Sequence, residues 1–137
     1  MSRLVVLDNE PVQALADPAH PKHRQALSQV QVVANRKRRA MPISIAVPTA
    51  VRVEAGWDRT STAWAFLNRL RILDVPLDTT HANLAAGIRY RARISVADAH
   101  IGAVVQTAPA DDITVVTSDP ADMRLAAGVR AATIVAM

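Results

Sequence analysis

The sequence predicts an α/β protein: a three-layer α/β/α sandwich around a central, mainly parallel sheet of about five short strands. Three observations carry this. The apolar runs "RLVVL", "ISIAV", "DITVVTS" and "ATIVAM" are short, rich in β-branched residues and lack a polar face, as strands buried on both sides do. Segments with helical spacing separate them, so successive strands must be joined by crossovers. At 137 residues with half the side chains hydrophobic, residues 1–137 make a single domain with one core.

Taken in order, residues 3 to 7 form a first strand that stops at Asp8, and "EPVQALAD" a short helix broken by Pro18 and Pro21. A longer helix runs from His23 to about residue 40, with Leu27, Val30, Val33 and Ala34 on one face and a basic last turn, "NRKRRA", that reads as a solvated face. After the strand at 43–47, Pro48 and Thr49 start a helix reaching about Trp57. The spacing in "TSTAWAFLNRLRIL" predicts an amphipathic helix over 60–73, followed by a short third strand in "LDVPL". Residues 79–92 read as a helix, and so does 95–108, opened by Ser95. The strand at 112–118 leads into a helix that starts at Pro120 and is closed by Gly128, and 132–137 is the last strand.

Composition removes several classes of chemistry. With no cysteine there are no disulfides, thiolate nucleophiles or cysteine zinc sites. No apolar run reaches the roughly 18 residues of a membrane span, and "LVVL" is too short for a signal sequence, so a soluble, cytoplasmic protein is expected. The four glycines are scattered and build no phosphate loop. Of the 16 basic residues 14 are arginine, which suits planar, bidentate contact with phosphate. "RYRAR" offers Arg89, Arg91 and Arg93 as contacts to an acidic polymer such as RNA. His20 and His23 flank Pro21 without further ligands and make no zinc site. His100 faces away from Asp98 and is expected at the surface, and His81 on a helix face. Trp57 and Trp64 are expected to pack as a pair or, with Phe66, in a homodimer interface.

Four acids stand out. Asp8 and Asp119 terminate strands at the carboxyl edge of the sheet, where such folds bind ligands. Glu54 and Asp98 fall on the apolar stripes of their helices, Glu54 with Val51 and Val47, Asp98 with Ile101, Gly102 and Val105. Each has an ordinary structural explanation: Asp119 before Pro120 reads as a helix cap, and Ser95 with Asp98 as a capping box. Together they can converge at one rim, where four anions repel unless a cation joins them. Oxygen donors without Cys or His select Mg²⁺, with Mn²⁺ as substitute. Setting these four aside, 16 basic residues face eight acidic ones, so an acidic point sits on a body of charge +8.

The blocks "VVLDNEPVQAL", "VPTAVRVEAG", "SVADAHIGAVV" and "TVVTSDPADM" resemble, in order and over nearly the whole chain, the four blocks of the PIN-domain family, and the compact length resembles the VapC toxins of toxin–antitoxin pairs. The resemblance implies a Mg²⁺-dependent ribonuclease whose metal site is formed by Asp8, Glu54, Asp98 and Asp119, with Asp122 as a fifth candidate and Thr117 as a supporting hydroxyl. It also implies neutralisation by a VapB-type antitoxin. In many relatives the first acid is followed by Thr or Ser; here Asn9 and Glu10 follow, and Glu10 either adds a fifth negative charge or caps the first helix. Met123 stands where an aromatic residue is common. A PIN-like domain that binds RNA or protein without cutting stays open, whereas a receiver domain would need a Lys after the last strand, where this chain has none.

Overall fold

The computed structural model describes residues 2–37 and 43–137. Five strands form one sheet in the order β3-β2-β1-β4-β5: β1 (Arg3–Leu7), β2 (Ile43–Pro48), β3 (Ile72–Val75), β4 (Asp112–Thr117) and β5 (Thr133–Ala136). Every pairing is parallel, with Val6 opposite Ala46 and Val115 and Leu7 opposite Val116. Residues 113 to 117 are all buried. Successive strand residues point to opposite faces, so both faces of β4 are covered, as the expected three layers require.

The helices are α1 (Asn9–Ala16), α2 (His23–Lys37), α3 (Thr49–Ala55), α4 (Ala65–Arg69), α5 (Thr79–Ala92), α6 (Val96–Thr107) and α7 (Pro120–Ala127). The side chains of residues 32–37, Val33 and Ala34 among them, and residues 38–40 of the basic turn lie outside the described part of the structure. Val6, Val12, Val47, Val51, Leu67 and Val116 are completely buried, and each contributes about 1.5–3 kcal/mol by leaving water. Gly102 lets α6 approach α7 closely: a Cβ there would stand 2.6 Å from the Ala126 carbonyl oxygen. Among the described residues no helix is long and apolar enough to cross a membrane.

Two expected elements differ. The helix expected over 60–73 is a 3₁₀ turn at Thr62–Trp64 followed by the short α4. Leu70 is already extended, and Ile72–Val75 pairs with Ile45–Pro48 instead. The sheet therefore takes the end of that segment, and Pro76 follows its last paired residue. Helix α3 stops at Ala55 rather than Trp57, because Gly56 turns left-handed (φ 74°) and the Trp57 N–H returns to the Arg52 carbonyl. Trp57 is thereby tucked inward. It is buried, stacks on Trp64 at 6.2 Å between ring centroids, lies under Arg59 and donates to Asn68. The expected tryptophan pair exists, and it packs within the chain.

The sheet also fixes where ligands can meet it. From β1 the chain builds outward through β2 and β3, then returns to β4 on the other side of β1. Such a reversal opens a crevice at the carboxyl ends of the two strands flanking it. Asp8 ends β1, and Thr117 and Asp119 end β4.

Candidate metal centre

Asp8 is the N-cap of α1: its Oδ1 accepts the Asn9 N–H at 2.7 Å. Its Oδ2 accepts the Thr117 hydroxyl, also at 2.7 Å, in a buried contact across the crevice. The same hydroxyl accepts the Asp119 N–H at 2.9 Å. Thr117 thus holds the two strand ends together and aims the chain that carries Asp119. Thr117→Val keeps the shape but removes both bonds, leaving one buried Asp8 oxygen without its donor. A loss of about 1–3 kcal/mol is expected in denaturant unfolding, with Thr117→Ser close to wild type. Equal stability of the Val variant would mean the hydroxyl positions nothing.

Asp119 occupies the N-cap position of α7, yet its side chain makes no capping hydrogen bond. Its backbone is unsuited to it (φ −127°, ψ 68°), and Pro120 has no N–H to satisfy. The carboxylate is instead turned toward two others: one oxygen each of Asp98, Asp119 and Asp122 lie within 4.8 Å of one another. Asp122, in the first turn of α7, has its carboxyl pushed up by a hydrogen bond to Asp119 and then by burial and the charges of Asp119 and Asp8.

Asp98 stands in the first turn of α6. The Ser95 hydroxyl caps the helix by accepting the Asp98 backbone N–H at 3.1 Å, a bond that does not involve the carboxylate. Burial, then the charges of Asp8 and Glu54, push the Asp98 carboxyl up to about 7, against an opposing hydrogen bond from Ser95. A carboxylate displaced this far is short of positive charge. Three hard oxygen donors with no His or Cys among them fit Mg²⁺ or Mn²⁺.

Glu54 is exposed, not on the buried stripe of α3, which consists of Val51 and Ala55. It still belongs to the rim, since it acts on Asp98 and its Oε1 accepts from the Asn9 amide at 3.4 Å. Asn9 is the residue that sequence reasoning missed. Its amide ties Glu54 to the strand end bearing Asp8, and its Oδ1 is buried without a hydrogen-bond partner among the described residues. The signal was its place directly after a strand-terminal acid.

Glu10 faces away from the cluster, 3.4 Å from His20 and 3.6 Å from Lys22, and Asp8 rather than Glu10 caps the helix. His20 accepts the Lys22 N–H and His23 bonds to the Ala14 carbonyl, so both serve the loop around Pro21. His100, expected at the surface, is completely buried. It lies edge-on to His81 at 5.5 Å, and burial, then His81, lower it to about 4, keeping it neutral. His81 itself links the Pro76 carbonyl and the Thr107 hydroxyl. Arg89, Arg91 and Arg93 are exposed at the end of α5 and form no ion pair among the described residues.

Fold and rim define a class: a parallel α/β domain with a carboxylate cluster at its topological switch point. No family model matches the chain, and no curated protein matches it at a significant level. Solved structures share its fold, two of them as follows. A chain of VapBC2 from Rickettsia felis, bound to a DNA fragment from its promoter, superposes with a TM-score of 0.57 at 14% identity, over 84% of this chain and 87% of that one. A chain of FitAB bound to the IR36 DNA fragment gives 0.56 at 19% identity, over 95% and 94%. At these identities the likeness establishes the fold.

Proposed function

We propose that the protein is a Mg²⁺-dependent ribonuclease, the toxin of a VapBC-type toxin–antitoxin pair, cutting RNA by attack of water on a phosphodiester. The observation that carries this is the convergence of Asp98, Asp119 and Asp122, beside Asp8 and Glu54, on one point of the sheet's carboxyl edge. The four PIN-like blocks of the sequence and the fold shared with a chain of VapBC2 support the same reading. Asp98, Asp119 and Asp122 would hold the ion, with Asp8 and Glu54 completing its surroundings. When bound, Mg²⁺ or Mn²⁺ would polarise a phosphoryl oxygen and make water a better nucleophile. The chain's own residues fix the donors: Thr117 sets Asp8 against Asp119, and Ser95 starts the helix that presents Asp98. Arg89, Arg91 and Arg93 would supply the phosphate attraction an acidic centre cannot. Glu10, paired with His20 and Lys22, does not add its charge to the centre.

The purified protein is expected to cleave single-stranded or looped RNA in Mg²⁺ or Mn²⁺, to stop in EDTA, and to weaken steeply as salt is raised. Cleavage that persists in EDTA, or none on varied RNAs, would count against the reading. The partners proposed are the RNA substrate, a VapB-type antitoxin and a second copy of the chain. Trp57 is spent internally, so a homodimer would use the exposed Phe66 instead. Phe66→Asp should then shift the scattering mass of the dimer toward the monomer, and a monomeric wild type at high micromolar concentration would refute it.

A further inference from the structure

Three adjoining depressions run along the seam between α3, α5 and α6. The first, about 410 Å³, is lined by Glu54, Thr49, Val53, Leu77 and Val96, and so begins at the acid rim. The second, about 240 Å³, shares Leu77 and Val96 with it and extends to Ala86 and Arg89. The third, about 450 Å³, shares Ala86 and Arg89 and ends at Tyr90 and Arg93. The shared walls make one continuous groove. Its chemistry is ordered: the Glu54 carboxylate at one end, an apolar floor in the middle, two guanidinium groups and an aromatic ring at the other.

Several of its side chains are exposed in a way folding does not explain. Val53 is 82% exposed, Val96 49% and Tyr90 88%. Arg89 and Arg93 have no acidic partner among the described residues, whereas Arg52 and Arg59 are both paired with Asp74. Large apolar side chains left in water beside unpaired cations mark a surface that binds something. An apolar peptide would leave the guanidinium end unmatched. A polymer with flat apolar faces and regularly repeated negative charge fits the whole length, and single-stranded RNA is such a polymer: its unpaired bases stack on aromatic and aliphatic surfaces while phosphates pair with Arg.

We propose that this groove is the track of a single RNA strand, with one base stacked on Tyr90, phosphates on Arg89 and Arg93, and further bases against Val96, Leu77 and Val53 on the way to the acid cluster. The proposal rests on the ribonuclease reading and adds to it the path the strand takes to the acid cluster and a positioning residue, Tyr90. Arg91 stands apart, lying back along its own helix so that its Nη1 is 3.4 Å from where a Cβ on Gly87 would be.

The test uses the full chain in EDTA, so that binding is read without cutting. A short single-stranded oligoribonucleotide carrying 5-iodouridine is irradiated on the protein and the adducts are mapped by mass spectrometry. The same RNA, fluorescently labelled, is titrated at several salt concentrations. Adducts on Tyr90 or its groove neighbours are expected, with binding about tenfold weaker in Tyr90→Ala and near wild type in Tyr90→Phe. Arg89→Ala and Arg93→Ala should each reduce the salt slope by about 0.7, one single-strand phosphate contact. Val53→Asp should weaken binding as well. No binding at low salt, adducts elsewhere, or groove variants that bind like wild type would overturn the track. So would groove variants that change only self-association, since a second copy would then be the occupant. RNA held in the groove but never cut in Mn²⁺ would sink the ribonuclease reading and leave the track standing. Cutting unaffected by groove substitutions would do the reverse.

Discussion

Asp98→Asn is expected to melt above wild type in EDTA at pH 8 and to lose most of the gain that Mn²⁺ gives wild type. The folded Asp98 carboxyl is raised to about 7, by burial first and then by Asp8 and Glu54, against about 3.9 in the unfolded chain. Between these values the folded state keeps a proton that the unfolded state has released. Stability is therefore fully present below about pH 4, falls as pH rises and is fully lost above about 7. Three pH units at 1.36 kcal/mol set a ceiling near 4 kcal/mol, and the group's partial exposure to solvent brings the expected loss to roughly 2 kcal/mol. Asn removes the titrating group, so its stability should be flatter over that range. A cation does for wild type what the mutation does, and at about 100 times its Kd it adds roughly 2.7 kcal/mol. The cap does not confuse the outcome, because Ser95 accepts the Asp98 backbone N–H, which Asn retains, and the Asn amide oxygen can still accept from the Ser95 hydroxyl. An equal loss of about 1 kcal/mol with and without Mn²⁺ would make Asp98 a helix-capping residue and remove it from the site.

Gly102→Ala should destabilise the protein and blunt the response to metal together. An added Cβ would lie 2.6 Å from the Ala126 carbonyl oxygen and 3.0 Å from its carbonyl carbon. Both are backbone atoms of α7, so only separation of α6 from α7 relieves the clash. Alanine gains about 1 kcal/mol over glycine within a helix, whereas forced overpacking costs about 1–3 kcal/mol. The balance is a net loss of up to about 2 kcal/mol for Ala, and more for Val. The functional consequence follows from position. Helix α6 presents Asp98 and α7 presents Asp122, with Asp119 directly before it. Wedging the helices apart moves Asp98 from its two neighbours, and the Mn²⁺ stabilisation should shrink in the same variant. A Gly102→Ala protein as stable as wild type with an undiminished metal gain would show that this close approach does not set the cluster.

Much of the architecture was legible because the signals were local. Apolar runs that stop at Asp8 and at Thr117 mark strand ends, and Ser95, Pro120 and Gly128 punctuate helices where the structure places them. The segment 60–73 misled because helical spacing cannot reveal that Ile72–Val75 is claimed by pairing with β2. Glu54 was placed on the wrong side of α3 because seven residues, two turns at most, define an apolar stripe poorly. His100 was sent to the surface by a sound inference that it faces away from Asp98. It failed because α6 is buried almost all round, at Ala97 and at every residue from 99 to 105, so facing away from one wall means facing another. Asn9 and Tyr90 carry no motif, and only the tertiary arrangement brings one to Glu54 and the other to the end of the groove.

Direct Mn²⁺ titration, read by the loss of the free ion's paramagnetic resonance signal, tests the metal centre without reference to any substrate. Saturable binding is expected for wild type. Asp98→Asn and Asp119→Asn should each weaken it at least about tenfold, since even residues behind metal ligands cost that much. Glu10→Gln, whose carboxylate faces His20 and Lys22, should bind as wild type does. Absence of saturable binding up to about 10 mM, some ten times beyond the weak end of oxygen-donor sites at about 1 mM, or affinity unchanged by loss of Asp98 and Asp119, would contradict a divalent-metal site at this rim.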